Sequence, residues 1–148
     1  MTRTVLFLCT GNYYRSRFAE VFFNARATAR GMSWRAYSRG LALEKGVNNV
    51  GPISLDAVAA LRKLGIMIPN GHRYPLQAEE HDFHTADLII ALKRAEHQPY
   101  IRDRYPAWAE RVHYWHVHDR IPTLEYDPLK EIAAEIHKLI LALRQLSA

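Results

Sequence analysis

The chain has 148 residues, 49% hydrophobic and 24% charged, a size and balance that describe one globular domain spanning 1–148 and exclude a disordered chain. No apolar run reaches the roughly 18 residues a membrane span needs, and Met1–Thr4 runs straight into a strand-like stretch without the pattern of a secretion signal, so a cytoplasmic protein with no membrane partner is expected. The net charge of +5 divides into +6 over residues 1–50 and −1 over the remainder; this basic excess would attract anions, while no basic tail or recognition motif points to nucleic acid as a partner.

Val5-Leu6-Phe7-Leu8 reads as a buried strand. Cys9 to Tyr14 follows as a loop around the turn signal Gly11-Asn12. From Ser16 the spacing of Phe18, Val21, Phe22 and Ala25 predicts a helix ending before Gly31. Trp34–Ser38 reads as a second strand and residues 40–51 as a polar loop. Ser54 is an N-cap for a helix through Val58, Leu61 and Leu64 that Gly65 stops. Pro69, Asn70, Gly71 and Pro75 make residues 67–75 a loop, and Leu76–Phe83 is expected to be a short helix. Ala86–Ala91 is the clearest interior strand. A helix over Arg94–Arg102 contains Pro99, and Val112–Trp115 is a fourth strand. Asp127-Pro128 opens the last helix, Asp as cap and Pro at the first helical position. Its apolar face carries Leu129, Ile132, Ala133, Ile136, Leu139, Ile140 and Leu143.

Strands alternating with helices predict an α/β fold of three layers, a four-stranded parallel sheet flanked by helices. Ligands of such folds bind at the carboxyl ends of the strands, where Cys9 stands. It is the chain's one cysteine, which excludes an internal disulfide and suits a reducing compartment. The eight histidines lack the spacing of a zinc site; neither a metal nor a cofactor is expected.

The chemistry concentrates in Cys9-Thr10-Gly11-Asn12-Tyr13-Tyr14-Arg15-Ser16. Five residues separate the thiol from Arg15. A loop of that length can turn its N–H groups inward and, with the N-terminus of the next helix, cradle an anion. Gly11 permits backbone conformations closed to other residues. Arg15 can grip two phosphate oxygens in a fork. The same positive field favours the thiolate of Cys9, and the Ser16 hydroxyl can donate to it. The alternative for a lone cysteine is an inert, buried side chain.

Val5–Asn12 with Arg15-Ser16 resembles the phosphate-binding loop of the low-molecular-weight protein tyrosine phosphatases. The likeness continues through Tyr37–Leu41, Gly51–Ile66, Ala86–Ile90 and Val112–Asp119, which is nearly the whole chain. The resemblance implies hydrolysis of phosphotyrosine or other aryl phosphate monoesters through a phosphocysteine intermediate, with phosphate and related oxyanions as competitive ligands. It implies Cys9 as nucleophile, and Arg15 with Thr10, Gly11, Asn12, Tyr13, Tyr14 and Ser16 as the phosphate-binding loop. Asn12, Ser16 and Ser38 would brace that loop. A monomer or weak dimer is expected.

Asp119 is similar in position to the family's general acid. Asp127 carries the familiar Asp-Pro dipeptide and is the competing candidate, although it is also an excellent helix cap. Tyr13 is expected to line the substrate pocket or to pack inward, and Trp34 and Tyr74 are further candidates for the cleft. Asn70 and His72 lie near a loop that joins the brace in the family.

The chain departs from the family's pattern in three places. Tyr14 replaces a second cysteine, leaving an oxidised Cys9 without a local resolving thiol. Arg17 replaces a proline and is expected either to extend the basic rim or to face water. Arg120 replaces a proline after the acid. Arsenate reductases on this fold relay electrons through additional cysteines, which are missing here. Phosphoarginine hydrolysis is an alternative, against which bulky Tyr13 argues, and a non-catalytic phosphate- or phosphopeptide-binding module is another.

Overall fold

The computed structural model describes residues 1–68, 72–121 and 125–146. Its centre is a four-stranded sheet in the order β2-β1-β3-β4, formed by β1 (Arg3–Cys9), β2 (Trp34–Gly40), β3 (Leu88–Ala91) and β4 (His113–Tyr114). All three neighbouring pairs are parallel. The expected sheet is therefore present, with its first strand inside it. Val5 to Leu8 have no exposed surface, as a strand covered on both faces requires.

Among the described residues, five α-helices cover the faces: α1 (Arg15–Ala29), α2 (Leu55–Lys63), α3 (Glu80–Thr85), α4 (Arg94–Arg104) and α5 (Pro128–Leu146). The alternating side chains of β1 serve two cores. Val5 and Phe7 pack with Phe18, Phe22 and Phe23 of α1 and with Ile132, Ile136 and Ile140 of α5. Leu6 and Leu8 face Phe83, Ile101, Tyr105 and Trp108. Each core buries several large apolar side chains, and each is worth roughly 1.5–3 kcal/mol of transfer energy. No described helix is long and apolar enough to cross a membrane.

The expected caps form. Ser54 Oγ accepts the Ala57 N–H at 3.4 Å, and Asp127 Oδ1 accepts the Leu129 N–H at 3.0 Å. The helix expected over Leu76–Phe83 begins later, at Glu80. Residues before it are drawn to the sheet instead: Gly40 N donates to Leu76 O and Ala78 N to Gly40 O, each at 2.8 Å. Trp34 is buried at the start of β2, paired with Arg3. Cys9 pairs with Gly40 at the strands' other end. Trp34 is thus a core residue remote from the cleft, because its position within the strand decides which end of the sheet it reaches.

Candidate active site

β1 ends at Cys9 and α1 begins at Arg15, so the intervening loop lies at the carboxyl edge of the sheet. Cys9, Thr10, Gly11, Tyr13, Tyr14 and Arg15 line one cleft of about 310 Å³. Lys45, Asn49, Asp56, Glu96, Asp119 and Arg120 complete its walls. Cys9 is a free thiol. Ser16 is fully buried beneath the cleft, with Oγ 2.8 Å from Cys9 Sγ. That hydroxyl accepts Asn12 Nδ2 at 2.9 Å, which leaves its own hydrogen free to donate to sulfur.

Asn12 is the hub of the loop. It has a φ of 52°, a left-handed conformation that asparagine tolerates better than most residues. Gly11, which permits such a conformation, does not use it: its φ is not positive, and a Cβ there would meet Asn49 Nδ2 at an ordinary 3.5 Å. The close approach is at Gly40, where a Cβ would lie 2.8 Å from Thr10 O and 2.6 Å from Leu43 Cδ2.

Asn12 Nδ2 also donates to Ser38 Oγ at 3.0 Å, and Ser38 Oγ donates to Glu20 Oε1 at 2.8 Å. Arg73 closes the network. It donates to Asn12 Oδ1 at 3.0 Å, to Glu20 Oε1 at 3.1 Å and to the Ser38 carbonyl and hydroxyl, each at 3.2 Å. The family resemblance places Asn70 and His72 near this network. Asn70 lies outside the described residues, and His72 lines a separate small cavity with Val58 and Arg62. Only the fold brings Arg73 back to the loop.

Arg17, expected at the rim or in water, is 2% exposed. It donates to Pro52 O at 2.9 Å and to Arg73 O at 2.7 Å, with a longer bond of 3.4 Å to Asn12 O. Burial and the neighbouring Arg73 bring its guanidinium down to about 10, so it stays charged at neutral pH while tying three segments together.

Arg15 is 3% exposed. Its Nη1 donates to Val117 O at 3.1 Å and its Nη2 to Glu96 Oε2 at 2.6 Å. Asp119 Oδ2 stands 3.7 Å from the same Nη2. Burial disfavours the guanidinium charge, but the charges of Cys9, Glu96 and Asp119 more than offset it and raise the group above its ordinary value.

Glu96 was not among the residues singled out from the sequence. Its Oε2 also accepts the Thr10 hydroxyl and lies 3.0 Å from Nε2 of buried His97. Because His97 Nδ1 accepts the Lys93 N–H at 2.9 Å, the neutral ring carries its proton on Nε2, facing Glu96. Nε2 has no hydrogen-bond partner among the described residues. Burial by itself would push the Glu96 carboxyl up; contact with His97 and the bond from Arg15 hold it well below the usual carboxylate range.

Tyr13 Oη donates to Val50 O at 2.6 Å, which holds the ring at the cleft against the loop of residues 46–50. Tyr14 lines both this cleft and a larger neighbouring cavity of about 500 Å³. Burial, then Asp127, raises its phenol to about 12. Tyr74 is exposed and does not line the cleft. Asp127 belongs to the neighbouring cavity, with Asp56 and Arg120 between the two. Among the described residues, no group of three or more His, Cys, Asp or Glu is arranged to hold a metal ion.

The sequence profile described as low molecular weight phosphotyrosine protein phosphatase matches residues 4–145. The chain belongs to that family. Low molecular weight phosphatases and their arsenate-reducing relatives share its fold. A low molecular weight protein tyrosine phosphatase from T. tengcongensis is 30% identical, superposes with a TM-score of 0.74, and is matched over 97% of this chain and 99% of its own. The YwlE arginine phosphatase of Bacillus subtilis superposes with a TM-score of 0.70 at 24% identity, over 97% of this chain and 94% of its own. Among curated proteins, an arsenate reductase of Brevibacillus brevis is 30% identical over 112 residues, 76% of this chain and 73% of that protein. The family is therefore one of cysteine phosphatases and arsenate reductases.

Proposed function

We propose that the protein is a cysteine-dependent phosphatase that hydrolyses aryl phosphate monoesters, phosphotyrosine among them. The observation that carries this reading is the convergence of Cys9, Arg15 and Asp119 on one cleft, with Ser16 Oγ 2.8 Å from the sulfur. Cys9 attacks phosphorus as the thiolate. The S–P bond forms as the P–O bond to the leaving group breaks. Asp119 donates its proton to that oxygen, so a neutral phenol departs. Arg15 and the N–H groups of the loop stabilise the equatorial oxygens of the phosphoryl group. Asp119, now a carboxylate, takes a proton from water as it attacks phosphocysteine. Inorganic phosphate leaves and the thiolate, met by the Ser16 hydroxyl, is regenerated.

Asp119 is favoured over Asp127 as the acid because its Oδ2 lies 3.7 Å from Arg15, whereas Asp127 caps α5. A single thiol in the sequence supports hydrolysis over arsenate reduction, since electrons have no second cysteine to pass to. The test is hydrolysis of p-nitrophenyl phosphate and of a phosphotyrosine peptide by the wild type, Cys9→Ser, Asp119→Ala and Asp127→Ala. Cys9→Ser should abolish turnover. Asp119→Ala should lower kcat about 10²–10⁴-fold, the range of general acid catalysis, and Asp127→Ala far less. A folded wild type that binds vanadate without turnover would make the chain a phosphate-binding module. Turnover confined to a phosphoarginine peptide would move the substrate class.

A further inference from the structure

Glu96 places a carboxylate against two groups that an oxyanion would use. Its Oε2 accepts hydrogen bonds from Arg15 Nη2 at 2.6 Å and from the Thr10 hydroxyl. Its side chain is 27% exposed, and that open part lines the cleft. A structural ion pair would account for the bond to Arg15 but not for a carboxylate left open to the ligand's side of that pair. His97 backs it from the protein interior, 3.0 Å away.

We propose that Glu96 is a specificity-determining residue that shares Arg15 with the bound oxyanion and selects a phosphoryl group in its singly charged, protonated form. The proposal rests on the phosphate-binding reading of the cleft. Two physical effects act together. The energy of a ligand charge near a partly buried carboxylate scales with that charge, so a dianion is penalised about twice as much as a monoanion. An ionised carboxylate can only accept hydrogen bonds. A protonated phosphoryl oxygen can donate to Glu96, and a doubly charged one cannot.

The group that changes protonation is the ligand. Phosphate monoesters take up their second proton near pH 6. Glu96 is held ionised throughout that range by Arg15 and His97. The other groups around it are Cys9, Arg15, Asp119 and the neutral ring of His97, with Lys45, Asp56 and Arg120 farther along the cleft. Sulfate stays a dianion where phosphate titrates, so it reports the protein's own response to pH without that of the ligand.

The experiment is calorimetric titration of the wild type and Glu96→Gln with inorganic phosphate and with sulfate, from about pH 5 to about pH 8, on either side of the phosphate transition. Glutamine keeps a carbonyl acceptor for Arg15 and Thr10 and removes the charge. In the wild type, the affinity for phosphate relative to sulfate should rise as pH falls. In Glu96→Gln that rise should flatten, and both anions should bind about tenfold tighter at the alkaline end, equivalent to about 1.4 kcal/mol. Near pH 5 the gain should persist for sulfate and shrink for phosphate. If Glu96→Gln does not fold, Glu96→Asp, which withdraws the charge by one methylene, should change both anions in the same sense but less.

An unchanged pH dependence of the phosphate-to-sulfate ratio, or weaker binding of both anions by Glu96→Gln, would overturn the proposal and leave the cradle intact. A wild type that binds neither anion would overturn the phosphate-binding reading itself.

Discussion

Ser16 Oγ lies 2.8 Å from Cys9 Sγ and at the same time accepts Asn12 Nδ2 at 2.9 Å. The amide fixes the hydroxyl's direction, and the hydroxyl's hydrogen is then aimed at the sulfur. A hydrogen bond to a charged group is worth about 1.5–3 kcal/mol. Ser16→Ala should therefore lower kcat by roughly 10- to 100-fold with the fold intact. Rapid-quench measurement of the phosphoenzyme checks this. A kcat within twofold of wild type would remove Ser16 from the reaction.

Arg17 should behave as an internal fastening. Its guanidinium serves the carbonyls of Asn12, Pro52 and Arg73 from a buried position. Arg17→Met keeps the stem and abandons three carbonyls. A loss of about 2–4 kcal/mol in urea unfolding is expected, the range for stripping a buried charged donor from its partners. A rim residue would change stability by less than about 0.5 kcal/mol.

Gly40 and Gly11 should differ sharply. A methyl on Gly40 meets Thr10 O at 2.8 Å, a backbone atom of the phosphate loop, whereas one on Gly11 meets only a side-chain amide at 3.5 Å. Gly40→Ala should cost about 1–3 kcal/mol, as overpacking does. Gly11→Ala should unfold close to wild type. Thermal melts of the two variants, run side by side, decide the point, and equal losses would contradict the packing described.

His97 predicts an acid-side loss of stability. Burial lowers its pKa, only partly offset by Glu96. Below about pH 6.5 the unfolded imidazole takes up a proton that the folded one resists. The unfolded state then binds more protons, so stability is flat above that pH and falls as pH drops below it. The depressed Glu96 carboxyl adds a further loss in the same direction below about pH 4.3, its unfolded value. His97→Gln should flatten the slope of urea midpoint against pH between about pH 6.5 and pH 5. An identical slope in the variant would assign the acid sensitivity to other groups.

Much of this molecule is read directly from its sequence. Val5–Leu8, the helical spacing after Ser16, the Ser54 cap and the Asp127-Pro128 start each state a local preference, and the fold keeps all of them. Cys9, Arg15 and Ser16 are also legible, because a short loop between a strand and a helix confines their positions. The helix expected from Leu76 fails at its first residues, since Gly40 offers those backbone groups a sheet partner. Propensity does not register such an offer.

By itself the sequence determined the order of strands and helices, the end of the sheet where the thiol lies, and the family, since these depend on periodicity and on residues close together in the chain. Only the tertiary structure decided that Arg17 is buried, that Arg73 completes the brace, that Trp34 is remote from the cleft and that Glu96 sits against Arg15. Arg15 and Glu96 are 81 positions apart. No local pattern encodes such a pairing; it exists because parallel strands deliver their carboxyl ends, and the loops that follow them, to one edge of the sheet.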